Sequence, residues 1–325
     1  MPPVPLVRVI RSGIDESVHT GSVAVADTHG ALVAFAGEPG RPTFARSAMK
    51  PLQAAVSVSL AEEPDLSDAE VAVMCGSHNG ELVHLRAVRS ILERAGLTTE
   101  ALRCPAARPL DAEEARRARE PRSEYHNCSG KHAGMLLASS RRGFPMGTYT
   151  EPDHPLQRAV REAVEVATGQ EPEAEGVDGC GVPVHLLPLS ALATLFARLV
   201  TDGRVAGAER VVAAMRAEPY LVAGRDRACT AIMETGPGLI VKVGAEGLMC
   251  AGIPEQGLGV AVRVDDGGTR AGPPAILRVL ELLGAIDVDH PALAPFVRPP
   301  VRGGGLPVGE LVAVFELQKT RTMPG

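Results

Sequence analysis

The stretch FARSAMKPLQAAVSV, residues 44–58, sets Ser47 and Lys50 three residues apart, ahead of a run of small apolar residues. On a helix, positions i and i+3 are neighbours on one face. If that face lines a dry cleft, burial and nearby charge lower the lysine pKa, and the neutral amine can take the serine proton. Ser47 and Lys50 would then be nucleophile and base. The spacing fixes only two positions and recurs by chance, but lysine is scarce here. The chain has four, Lys50, Lys131, Lys242 and Lys319, and three of them fall in unusual segments.

MCGSHNGE, 74–81, follows the strand-like EVAVM and gathers Ser77, His78, Asn79 and Glu81 around Gly76 and Gly80. Glycines let a backbone approach a ligand closely. This strand-to-helix corner suits a second catalytic serine or recognition of an amide through His78 and Asn79; its plainer reading is an N-capped turn. YHNCSGKHAGML, 125–136, is the densest polar cluster, and VDGCGVPVHLLPLS, 177–190, sets Asp178 and Cys180 between glycines. Two cysteine loops supply half of a zinc site, which needs about four ligands. Buried cysteines acting as small hydrophobes are the alternative, as is a Cys128 or Cys180 nucleophile whose base is not obvious. In VKVGAEG, 241–247, Lys242 lies on a strand and points to solvent or into a cleft. A strand lysine opposite an S-x-x-K helix is the layout of penicillin-recognising enzymes, although K-T-G and S-D-N are absent.

These segments need elements to position them. At 325 residues, 45% hydrophobic and 22% charged, the chain has globular composition and enough length for two lobes. Net charge is 33 − 39 = −6 and aromatics are 3%, which disfavours nucleic acid and anionic membrane as partners. Arg8 and Arg11 interrupt the apolar N-terminus, and Pro183, His185, Pro188 and Arg198 break the most apolar stretch, 181–200, which reads as core strand and helix. The expected location is cytoplasmic, with the six cysteines as free thiols or ligands. SVAVADTHGALVAFAG reads as a hairpin turning at Gly30. Helices fit 47–60, 81–96, 111–120, 153–168, 188–202, 205–217 and 271–284, with stops at Gly96 and Gly143. The segment 238–265 reads as a meander, 286–305 as a surface connection, and 309–317 as a last strand. Strands at both ends with helices between imply an α/β (α+β) fold, one antiparallel sheet completed by both termini. The expected lobes are a sheet lobe, about 1–60 plus 220–325, and a helical lobe, about 61–219.

Taken in order, RSAMKPLQ, CGSHNGE, HNCSGKHAGML, DGCGVPV, VKVGAEG and VDDGGTRA resemble the class 3 (rhizobial-type) L-asparaginases, the asparaginase II family, from about Arg11 to Arg270. No likeness to the threonine-nucleophile asparaginases is visible. The resemblance implies a serine β-lactamase/glutaminase-like fold and two serine–lysine pairs in one cleft, Ser47 with Lys50 and Ser77 with Lys242. It implies zinc held by Cys128, Lys131 and Cys180, with Arg46, His132 and Asp178 lining the pocket. It also implies a homodimer acting on L-asparagine as small-molecule substrate, forming L-aspartate and ammonia through an acyl-enzyme. Ser47 is the favoured nucleophile, and the sequence allows the reverse assignment. A glutaminase, another serine–lysine amidase or esterase, and a zinc-stabilised amino-acid-binding protein are the alternatives. One departure is Arg263, in VRVDDG, where the family usually has lysine; the tail after 271 is less recognisable.

Overall fold

Alternating apolar residues in Val4–Arg11 and Ile14–Asp27 build the centre of an antiparallel sheet in the computed structural model, which describes residues 2–201 and 203–320. The long strand Ile14–Asp27 shares one edge between Val4–Arg11 and Leu32–Ala36, and pairs with Leu258–Val264 along the other. Beyond it lie Leu248–Ile253 and Ile240–Val243, the expected meander. Val4–Arg11 also pairs with Leu306–Ala313, so segments near both termini complete the sheet as anticipated. The fold is a mixed α/β one with helices packed on this sheet.

Two segments near the C-terminus differ from expectation. Within 286–305, Pro300–Gly303 is a strand and joins the sheet edge. The strand expected at 309–317 is Leu306–Ala313, and a further short strand, Gln318–Lys319, pairs with Leu32–Ala36.

Contacts divide the chain into two units. Of the described residues, the sheet unit comprises 2–48, 186–201 and 231–320, and the helical unit comprises 49–185 and 203–230. The expected lobes placed the helix after Lys50 with the sheet and 188–202 with the helices. The observed division exchanges them. Leu189–Thr201 belongs to the sheet because Gly259 admits it: a Cβ there would lie 1.9 Å from the Ala193 carbonyl oxygen. Gly272–Leu282 covers the opposite face, where Met249 meets Gly272.

The helical unit is built around Lys50–Ala61, buried from Lys50 through Ser57. It packs against Asp68–Cys75, Ser129–Arg142, Pro155–Thr168 and Ala208–Ala217. Small residues on Lys50–Ala61, mostly alanines, let these helices approach. EVAVM, read as a strand, lies within the helix Asp68–Cys75. Ser67 caps it in a reciprocal box with Glu70, which satisfies two helix-end donors. Four apolar residues in a row carry no usable period, and the cap decides the conformation.

Candidate active site

Lys50 occupies the first position of its helix, where side chains lean back toward the N-terminus. It is fully buried. Its Nζ donates to the carbonyl oxygens of Gly76 at 2.6 Å and Asn127 at 3.1 Å, and lies 3.0 Å from Ser77 Oγ. A neutral amine fits the same three partners with two N–H groups on the carbonyls and its lone pair toward the serine hydroxyl. Spacing paired Lys50 with Ser47; the bond it makes is to Ser77. Ser47 belongs to the 3-10 turn Arg46–Met49 that ends where the α-helix begins, so the two residues do not share one continuous α-helix.

Ser77 leaves the helix Asp68–Cys75 on an extended segment laid along 222–225. Its N–H donates to Val222 O at 2.9 Å, and Asn79 N–H to Ala223 O at 2.9 Å. Asn79 Nδ2 donates to Arg225 O at 2.9 Å, while Arg227 Nη1 donates to Asn79 Oδ1 at 2.7 Å. His78 Nδ1 accepts from Gly80 N, so Nε2 carries the proton and donates to Ser129 Oγ at 3.0 Å. Burial, then repulsion from His84 and Lys50, holds His78 well below the ordinary histidine range. Both residues read as amide-recognition groups thus have their side-chain polar atoms engaged inside the fold, where they fix Ser77.

Gly130 sets the second cluster. A Cβ there would lie 2.2 Å from Val73 O, so only glycine lets Ser129–Arg142 approach Asp68–Cys75 this closely. Cys128 and Lys131 flank it, and Cys180 arrives from the DGCG loop. Lys131 Nζ donates to Cys180 Sγ at 3.0 Å, and the buried Cys128 Sγ donates to Asn127 Oδ1 at 3.2 Å. Interaction with the Cys180 thiol, with the charges of Lys50 and Lys131, brings Cys128 well below the ordinary thiol value, while Cys128 and burial push Cys180 up. Burial works against the Lys131 ammonium, and the two sulfurs outweigh it and raise the Lys131 pKa.

Tyr149 accepts from Arg103 N and donates to His132 Nδ1 at 2.7 Å, which leaves the proton on His132 Nε2, a buried atom with no hydrogen-bond partner. Burial brings His132 down to about 4. Asp178 Oδ1 accepts from Gly179 N at 2.9 Å, and Oδ2 lies 3.6 Å from Cys180 Sγ. Among the described residues no group of three or more His, Cys, Asp or Glu is placed for a metal ion. A zinc site here therefore depends on the amine. Lys131 Nζ meets Cys180 Sγ, Cys128 offers a second sulfur, and this donor set of sulfur and nitrogen fits zinc.

In the sheet unit, Lys242 is fully buried with Nζ donating to Val243 O at 2.8 Å, which removes the solvent-facing alternative. Ser47 is half-buried, and Arg46 before it has φ +43°, a left-handed value uncommon outside glycine. Sequence reading missed the two carbonyls that hold Lys50, and no side-chain pattern marks them. It also missed Tyr149, which stands 17 residues from its partner.

With this geometry in place, the model of the L-asparaginase II family matches residues 7–313. The chain belongs to the L-asparaginase II family, a family of amidohydrolases. No curated protein sequence matches it. Among solved structures, a β-lactamase from Mycobacterium bovis aligns over 80% of this chain and 94% of its own, at 20% identity and TM-score 0.42. Mglu aligns over 88% and 72%, at 18% identity and TM-score 0.38. A β-lactamase from Desulfarculus baarsii aligns over 82% and 92%, at 17% identity and TM-score 0.36. No helix among the described residues is long and apolar enough to cross a membrane.

Proposed function

We propose that the chain hydrolyses the side-chain amide of L-asparagine to L-aspartate and ammonia, as a cytoplasmic homodimer. The observation that carries this reading is the buried Lys50–Ser77 contact at 3.0 Å, with two carbonyls oriented on the same amine. Lys50 is the base. Ser47 attacks the amide carbon, its proton passing to Lys50, and Ser77 delivers that proton to the leaving nitrogen. The C–N bond breaks, ammonia departs, and water cleaves the ester to release aspartate. Ser47 is preferred as nucleophile because it is half-buried, whereas Ser77 is 3% exposed, and a nucleophile must meet its substrate. The positive φ at Arg46 supports this, since strained backbone concentrates at functional positions.

The direct contact with Lys50 favours a second reading in which Ser77 attacks. Acid-quenched turnover followed by peptide mass analysis separates the two: an acyl group on the Ser47 peptide supports the first, on Ser77 the second. Lys242 is the second buried amine of the proposed set, and Arg46 and Asp178 recognise the charged ends of the substrate. His132 lines the substrate pocket. Cys128, Lys131 and Cys180 would hold zinc, which when bound supplies a positive charge that orients substrate and ties two loops together. Ammonia release from asparagine and glutamine by wild type tests the activity. Elemental analysis tests the metal, with about one zinc per chain expected and well below one counting against it.

A further inference from the structure

Glu81 closes the CGSHNGE segment and is buried, at 6% exposure. A carboxylate out of water keeps its charge where hydrogen-bond donors converge on it. Three converge here. Tyr220 Oη donates to Oε2 at 2.5 Å, Arg225 N to Oε1 at 3.0 Å and Asn79 Nδ2 to Oε1 at 3.3 Å. Two of them come from 220–225, the segment whose Val222 and Ala223 carbonyls accept from Ser77 N and Asn79 N. His84 adds a further tie, its ring stacked on Tyr220 and its Nε2 donating to Tyr220 O at 3.2 Å. The backbone bends sharply to reach the carboxylate. Gly224 has φ +112°, and a Cβ there would run into Glu81 Oε1 and Asn79 Nδ2. Asp226 is also left-handed, at φ +57°, and a residue other than glycine holds that conformation where its surroundings impose it. Because Ser77 N is bonded to Val222 O, the place of Ser77 Oγ beside Lys50 Nζ follows the place of this segment.

We propose that Glu81 is a positioning residue: it clamps 220–225 against CGSHNGE and so keeps Ser77 opposite Lys50. The role is the same whichever serine attacks, because both routes pass a proton between Lys50 and Ser77. Its effect on turnover rests on the asparagine reading, and the placement of Ser77 does not.

Glu81→Ala removes the acceptor of Tyr220 Oη and Arg225 N. Its kcat for asparagine should fall on the order of 10- to 100-fold, the scale of a small misplacement of reacting groups, with KM little changed. Glu81→Gln keeps an oxygen for Arg225 N, and the Tyr220 hydroxyl can turn to accept from the new amide, so most of the loss should be recovered. A role in stability alone would lower the urea midpoint and leave kcat of the folded Glu81→Ala sample at the wild-type value. The second readout is magnetic resonance of isotope-labelled lysine side chains, of which the chain has only four. The Lys50 signal is the one lost in Lys50→Arg. In Glu81→Ala it should shift while that of Lys319 stays in place, and in Tyr220→Phe, which deletes one donor, it should shift less. Circular dichroism checks folding, and Tyr220→Phe carries both readouts if Glu81→Ala does not fold. An unmoved Lys50 signal, or unchanged kcat in the folded variant, overturns the proposal. If wild type releases no ammonia while the Lys50 signal still moves, the positioning role stands and the hydrolase reading fails.

Discussion

At the scale of single residues, the proposed chemistry concentrates on one amine. General-base catalysis contributes about 10²–10⁴-fold, so Lys50→Ala should lower asparagine turnover by that order. Lys50→Arg should not restore it, because a guanidinium stays charged and cannot accept the serine proton. An ammonia assay on variants of unaltered circular dichroism decides the matter, and near wild-type turnover in Lys50→Ala sinks the mechanism. That Lys50, Ser77 and the two cysteine loops belong to buried polar clusters was legible because lysine is scarce and the polar segments are dense. The partner of Lys50 was not. Sequence spacing sees neighbours on one helix, while a lysine at a helix start reaches back toward Gly76 and Ser77, 26 and 27 residues on, and Asn127, 77 on. The roles assigned to His78 and Asn79 are equally sensitive to context. Their polar side chains suit a ligand as well as a loop, and here they bind loop and helix atoms.

At the scale of elements, two local features set the segments that carry those residues. Gly130→Ala forces a methyl against Val73 O, so helix and loop must part; a loss of about 3 kcal/mol is expected. Gly147→Ala, with nothing within 4 Å of its added methyl, should stay within about 0.5 kcal/mol of wild type. Urea unfolding of the two variants makes the comparison, and equal midpoints would remove close approach as the reason for glycine in HNCSGKHAGML. Ser67→Ala deletes the acceptor for Glu70 N and should cost about 1 kcal/mol in the same assay. The Ser67–Glu70 box was present in the sequence as S-x-x-E and outranks the apolar run that followed it, which is why EVAVM misled. The hairpin, the meander and most helices were legible from period and turn glycines. The placement of Leu189–Thr201 on the sheet was not, since it depends on Gly259 accepting a helix backbone more than sixty residues away in sequence.

At the scale of the whole molecule, the charge ledger that matters is protonation. His78, His84 and His185 are buried, and burial is the leading cause that lowers each below the ordinary histidine value. In the unfolded chain each titrates near 6.5, so below that pH the unfolded state binds more protons than the folded one. Stability is therefore full above pH ~6.5 and falls as pH drops, by up to about 1.4 kcal/mol per pH unit for each histidine until its folded pKa is reached. Glu70 adds a loss at lower pH. Burial opposes its charge, but Arg94, the Ser67 N–H and Ser90 outweigh it and lower its pKa, so its contribution vanishes as pH falls through the lowered value. Urea midpoints at pH 8, 6 and 5 should decline in that order, with the steeper loss between 6 and 5. His185→Gln removes one titrating ring whose two nitrogens have no hydrogen-bond partner, and it should flatten the decline without reversing it. Midpoints constant from pH 8 to 5 would mean that these rings take up protons in the folded state, and the description of them as neutral packing groups would then be wrong.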